Sequence, residues 1–195
     1  MGRLQTFDST TVVQAARDLF WNFGFDGASL ADLEEATGVN RSSLYHAFGS
    51  KRGLFDAAVS DYLDTVIRPR LRGLTLAWAG RDALLTYFDG LRHAVNTLPE
   101  DSPRRGCLLV NAAAGLAAHD EPARAVVDAY RAELSAALRH AFAGSDPALV
   151  DERVRTLASL SMSAMLLARV NREEAAALLS TAAEQVRAWL PSTPN

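Results

Sequence analysis

The run from Asn40 to Lys51, NRSSLYHAFGSK, carries side chains suited to a polyanion. Read as a short helix with Leu44 and Phe48 facing inward at i and i+4, it leaves Arg41, Ser42, Ser43, Tyr45 and His46 facing outward. Each type has a use in a nucleic-acid groove. Arginine pairs bidentately with guanine, serine permits close approach, tyrosine offers an apolar ring to a thymine methyl, and hydroxyls and histidine reach phosphates.

Such a face works only if neighbouring elements hold it. Ser29 with Asp32 three residues on forms an N-terminal capping pattern, and Leu30, Leu33, Ala36 and Thr37 recur at helical spacing. Gly38 suits the left-handed backbone at a helix end, Val39 pins the turn, and Asn40 is a good cap for the next helix. Two short helices about a tight turn describe a helix-turn-helix, which places its second helix in a groove. A glycine corner of this kind also occurs in helical proteins that bind no nucleic acid. Before the corner, Asp8 or Ser9 caps a helix with Val12, Ala15, Ala16, Leu19, Phe20 and Phe23 on a buried face, ending at Gly24. After it, Lys51 opens a longer helix with Leu54, Phe55, Ala58, Val59, Tyr62, Leu63 and Val66 on one side. The N-terminus of that helix is itself a phosphate site. Pro69 is expected to kink or end it, and Gly73 and Gly80 bracket a loose connection.

With 195 residues, 49% of them hydrophobic, the chain can bury a substantial core. Alternating β-branched runs are absent and alanine, leucine, arginine and glutamate dominate, so the fold class is all-α: a three-helix head followed by a larger helical domain. No apolar run of membrane-spanning length and no signal-peptide pattern is present, which gives a cytoplasmic expectation. One cysteine excludes an intramolecular disulfide framework and a multi-cysteine zinc site. The net charge of −3 argues against nucleic-acid binding, and in residues 1–55 the acids Asp8, Asp18, Asp26, Asp32, Glu34 and Glu35 outnumber the bases Arg3, Arg17, Arg41, Lys51 and Arg52. From Asn40 to Gly53, however, there are three bases and no acid, and Lys51 is the sole lysine beside nineteen arginines.

Residues 9–66 resemble the N-terminal domain of the TetR family of bacterial transcriptional repressors. The resemblance is carried by Phe20-x-x-Phe23-Gly24-Phe25, Ser29-Leu30-x-Asp32-Leu33, Gly38-Val39-x-x-x-Ser43-Leu44-Tyr45-x-x-Phe48 and Ser50-Lys51, in order and without insertion. It implies that Arg41, Ser42 and Tyr45 approach bases while Ser29, Ser43, His46 and Lys51 hold the DNA backbone. Ala47 departs from the family, which has His or Tyr there, so one phosphate contact per subunit is missing. It further implies a DNA-binding domain over residues 1–50, a connecting helix over 51–72 and a ligand-binding and dimerisation domain over 73–195. The implied partners are a palindromic operator in double-stranded DNA, a small-molecule effector and a second copy of the chain, with no membrane and no cofactor.

The larger domain reads as a helix from Asp82 to Pro99, a polar linker to Arg105, a short apolar helix from Gly106 ending near His119, and a helix from Glu121 to Gly144. Two more follow, Pro147 to about Val170 and Arg172 to Leu190, then a frayed tail from Pro191. By resemblance, the last two helices pair across a two-fold axis, through Leu157, Leu160, Ser161, Ala164, Met165 and Ala168 and through Leu178, Leu179, Ala182, Val186 and Trp189. The same stripes also suit a monomer core. An effector pocket among the middle helices is expected to use Tyr87, Phe88, Leu91, Cys107, Asn111, Tyr130, Met162 and Met165. Cys107, at a helix start after Arg104 and Arg105, reads either as a thiolate-prone sensor of oxidants or electrophiles or as a small buried hydrophobe. His93, His119 and His140 fall on separate helices without metal-ligand spacing, so no metal site is expected. No catalytic motif appears, and the alternatives to a repressor are a helical protein-interaction adaptor or a motif-less helical enzyme.

Overall fold

The structure is a computed structural model that describes residues 7–191; Arg3 and the tail beyond Pro191 lie outside the described residues. Among those described the fold is all-α, with no strand. Helix α1 (Ser9–Gly27) starts where the Asp8 carboxylate accepts from the Thr10 N–H at 3.0 Å, and it breaks at Gly24, whose φ of 73° leaves the helical region. Phe23 is 58% exposed, contrary to the expected buried face, while Trp21, two residues earlier, is in the core. Helices α2 (Leu30–Thr37) and α3 (Arg41–Phe48) form the corner.

Helix α4 (Lys51–Tyr62) does not stop at Pro69. It widens into a π-turn over Leu63–Ile67 and continues as α5 (Arg68–Leu71) before a 3-10 turn, Arg72–Thr75. Proline lacks an N–H and crowds the carbonyl four residues back, and the widened turn lets the chain pass it without ending. Lys51 and Leu71 are thus the two ends of one nearly continuous rod.

The remaining helices are α6 (Arg81–Thr97), α7 (Leu108–Ala114), α8 (Glu121–His140), α9 (Pro147–Leu167) and α10 (Arg172–Trp189). Asp120, Asp146 and Asn171 cap α8, α9 and α10 through their side-chain oxygens. Helix α10 packs against α6 and α9, and α8 packs against α9 and α7. Leu157, Ser161, Ala164, Met165 and Ala168, with Leu179, Ala182 and Val186, are buried within this single chain. The face of α9 left outward holds Ser159, Ser163 and Leu166, with Val170 just beyond. An intrachain core claims the apolar stripes because α9 sits between α8 and α10.

Candidate nucleic-acid interface and inner cavity

Hydrogen bonds fix the corner at every joint. The Ser29 hydroxyl oxygen accepts from the Asp32 N–H at 3.1 Å while the Ser29 N–H donates to the Asp32 carboxylate at 2.8 Å, and these bonds from Ser29 hold the Asp32 carboxyl below its ordinary range. Gly38 takes a φ of 67° and donates its N–H to the Glu34 carbonyl at 2.9 Å. Asn40 accepts from the Ser43 N–H at 2.9 Å, and the Glu34 carboxylate accepts from the Arg41 N–H at 2.5 Å. Two residues of the first helix and its turn therefore set the angle of the second.

On α3 only Leu44 is fully buried. Arg41, Ser42 and His46 are exposed, Ser43 and Tyr45 are half-buried, and the Arg41 guanidinium lies 5.2 Å over the Tyr45 ring. Ala47 shares the exposed surface with no polar reach. Lys51 stands at the start of α4, its ammonium 4.5 Å over the Phe25 ring, which in turn packs on Phe20 and Phe55. Gly53, unremarked in the sequence reading, decides how closely α4 approaches α3: a Cβ there would fall 1.9 Å from the Phe48 carbonyl oxygen. Its only sequence signal is a glycine in the first turn of a helix, where alanine would be the better former.

The charge balance changes once partners are assigned. Asp8, Asp32 and Glu34 cap helices, and Asp18 bonds Arg17 at 2.9 Å and Arg104 at 2.7 Å. Only Asp26 and Glu35 among the six head acids carry no such bond among the described residues. The basic strip also shrinks, because Arg52 pairs with Asp56 at 2.7 Å and with Asp120 of the larger domain. Arg41 and Lys51 remain without an acid partner among the described residues.

Further contacts join the head to the rest. Arg17, nearly buried, bonds Asp61 at 2.7 Å and the Thr65 hydroxyl at 3.1 Å, tying α1 to α4 and to its π-turn. Arg169, beyond α9, donates to the Trp21 carbonyl at 2.9 Å and the Asn22 carbonyl at 2.6 Å, so the larger domain caps the end of α1. The Trp21 indole N–H donates to the Arg105 carbonyl at 3.1 Å.

Of the expected pocket residues, Tyr87, Leu91, Cys107, Tyr130 and Met165 do meet, around a small inner cavity that Tyr62, Ile67, Arg70, Leu71 and Ser161 complete. Phe88 is plain core, Asn111 donates to the Trp21 carbonyl at 3.4 Å, and Met162 lines a shallow outer groove near Val127 and Arg131. Sequence reading missed Tyr62 and Arg70 because both belong to the rod that it assigned to connection. The Tyr87 and Ser161 hydroxyls share a hydrogen bond of 3.1 Å, and burial pushes the Tyr87 phenol up to about 12 despite it. Burial, then the neighbouring Cys107, pushes Tyr62 and Tyr130 well above the ordinary tyrosine range. Cys107 is buried, and the two arginines expected to activate it point elsewhere: Arg104 to Asp18, Arg105 to the Ala168 and Glu100 carbonyls. Its place at the start of the seven-residue α7 follows the sequence, but the guanidinium groups do not serve it. Among the described residues no cluster of His, Cys, Asp and Glu is suited to a metal, and no helix is long and apolar enough to cross a membrane.

A capped helix-turn-helix with an outward polar second helix, carried on a rod that enters a larger helical domain, defines a helix-turn-helix protein of two-part, all-α design. The family described as "Bacterial regulatory proteins, tetR family" matches residues 12–58. Over most of its length the chain is similar to the solved structure of the TetR family transcriptional regulator CifR, a cysteine-substituted form complexed with a 26-bp double-strand operator DNA. Identity there is 32% and the TM-score 0.78, covering 96% of this chain and 100% of that one. The chain belongs to the TetR family. It is also 32% identical over 120 residues to the uncharacterized HTH-type transcriptional regulator YezE of Bacillus subtilis (strain 168), covering 62% of this chain and 60% of that protein. With the HTH-type transcriptional repressor ComR of Escherichia coli (strain K12) it shares 34% over 111 residues, 56% of this chain and 51% of ComR. The matched segments thus span between half and three fifths of these two curated relatives.

Proposed function

We propose that the chain is a transcriptional repressor that binds a palindromic operator as a homodimer and responds to a small-molecule effector. The observation that carries this reading is the outward face of α3, where Arg41, Ser42 and His46 stand exposed beside Lys51 and neither base has an acid partner among the described residues. Arg41, Ser42 and Tyr45 read bases; Ser43, His46 and Lys51 hold phosphates. Ser29 joins them through its hydroxyl hydrogen, since its oxygen already accepts from Asp32. One recognition helix reads too few base pairs to be selective, and a dimer sets two of them about 34 Å apart, one per major groove.

The dimer forms through the outward side of α9, where Leu166 is 47% and Val170 81% exposed beside Ser159 and Ser163, together with the exposed Ala177 and Thr181 of α10. Effector coupling runs along the rod. Tyr62, Ile67, Arg70 and Leu71 line the inner cavity on the same rod that begins at Lys51, and the Tyr62 ring meets Trp21 edge-on at 4.7 Å. A ligand that shifts this rod changes the separation of the two reading heads. About 1–3 kcal/mol of differential affinity is enough for such coupling. Fluorescence anisotropy with a labelled duplex from the promoter beside the protein's own gene tests the reading; binding that is absent, or that ignores salt, contradicts it.

A further inference from the structure

An open cleft of about 920 Å³ lies between the end of the rod and α6, in the size range of small-molecule sites. Arg70 lines this cleft, the inner cavity and a third small cavity beside Arg104 and Arg105, so one side chain borders all three. It makes no hydrogen bond or ion pair among the described residues. The one acid lining any of the three, Asp82, is bonded to Arg81 at 3.0 Å.

The unsatisfied polar atoms there are donors. The Tyr62 hydroxyl, buried beside Cys107 and the Leu108 backbone, makes no hydrogen bond of ordinary geometry, and Tyr62 lines the inner cavity; the Arg81 Nε, on a residue lining the cleft, is likewise buried and unpartnered. Burial keeps the Tyr62 phenol protonated, so it offers a hydrogen. A buried donor left unmade is costly, and an acceptor supplied from outside would relieve it. The inner cavity holds only about 10 Å³, roughly one water, so a single acceptor atom of a ligand is what fits there and the body stays in the cleft.

The cleft wall has been cleared for that body. Gly90 lies inside α6, where glycine costs about 1 kcal/mol relative to alanine, yet a Cβ there would meet nothing within 4 Å. Packing within the chain does not require it. Gly90, Gly73 and Gly80 all border the cleft with open space above the backbone, and Trp78, 81% exposed, stands at its edge.

We propose that this cleft binds a small aromatic carboxylate, its carboxylate taken by Arg70 and the Tyr62 hydroxyl and its ring laid along Gly90 toward Trp78. The proposal rests on the reading of the larger domain as effector-binding and names the chemical class of the effector. Because Arg70 and Tyr62 belong to the rod, such a ligand engages the element that carries Lys51.

Isothermal titration calorimetry on DNA-free protein tests it, with 2-naphthoate, its neutral amide 2-naphthamide and the cation 2-naphthylmethylammonium as probes. The carboxylate is expected to bind at least about tenfold more tightly than the amide, the cation least of all. Arg70→Met should erase the gap between carboxylate and amide, and Tyr62→Phe should narrow it. Gly90→Leu, which fills the cleft while favouring the helix, should block both probes without lowering the melting temperature. No binding of 2-naphthoate at millimolar concentration, equal binding of acid and amide, preference for the cation, or an unchanged gap in Arg70→Met overturns the proposal. Operator binding is measured separately, so a repressor without this ligand site and a ligand-binding protein without an operator give different results.

Discussion

Replacing Arg17 by methionine keeps most of the side chain's apolar volume and removes its charge, and the consequence follows from the contacts. Its Nη1 donates to Asp61 at 2.7 Å and Thr65 at 3.1 Å, and its Nε and Nη2 donate to Asp18 at 3.0 and 2.9 Å. The arginine side chain is 7% exposed and that of Asp61 15%. Breaking a buried pair by removing one partner costs about 3–5 kcal/mol, chiefly from the charge left behind. Asp61 keeps some solvent and the Thr65 hydroxyl at 3.4 Å, and Asp18 keeps Arg104, so about 2–3 kcal/mol is expected. For a chain of this size that lowers the melting temperature by about 5–10 °C. The double variant Arg17→Met with Asp61→Asn removes the stranded charge and should recover about 1 kcal/mol or more. Circular dichroism melts of the wild type and both variants decide it. A single variant within about 0.5 kcal/mol of wild type, or a double variant less stable than the single, refutes the reasoning.

Gly53→Ala sets a Cβ against the Phe48 carbonyl and should cost about 1–3 kcal/mol by urea denaturation while weakening operator binding through the displaced α3. Asp120 is held below its ordinary value of 3.8 first by Arg52 and then by its cap bond to Ala123. A carboxyl lowered in the folded state adds stability above its unfolded value that is lost as pH falls through its folded value. The wild type should therefore loosen below about pH 4, and Asp120→Asn should be weaker at pH 7 but lack that part of the acid limb in melts run from pH 7 to 3. Leu166→Glu, on the outward face of α9, should shift the proposed dimer toward monomer in sedimentation velocity with helicity unchanged; a wild type that sediments as a monomer, or a dimer unaltered by the substitution, contradicts that interface.

The head was legible because its signals are local. Ser29, Asp32, Gly38 and Asn40 announce the corner through caps and a left-handed turn that need no distant partner, and Leu44 is the one position α3 must bury. The site farther on was less legible. Pro69 reads as a kink or stop because the π-turn that absorbs it has no sequence pattern of its own, so Tyr62 and Arg70 fall within a segment that looks like connection. Met162 and Asn111 share an apolar, mid-chain setting with Met165 and Cys107, yet only tertiary packing turns the first pair away from the cavity. The acid excess of the head misled for a similar reason, since a sum over residues cannot show that Asp8, Asp32 and Glu34 are committed to helix ends. The stripes of α9 and α10 are equally apolar whether they face a partner or the chain's own core.

The salt dependence of operator binding tests the central claim most directly. Titrations of wild type, Lys51→Ala and Arg41→Ala by anisotropy across a range of potassium chloride concentrations give the slope of log K against log salt for each. Each phosphate contact adds about 0.9 to that slope, so a dimer lacking Lys51 should lose about 1.8 and bind every duplex less tightly. Arg41→Ala should instead cost about 1–3 kcal/mol on the operator alone and relax the preference at one base pair of each half-site. A slope unmoved by Lys51→Ala, or the same loss on operator and random duplex from Arg41→Ala, would contradict the assignment of α3 as the reading helix and Lys51 as its phosphate anchor.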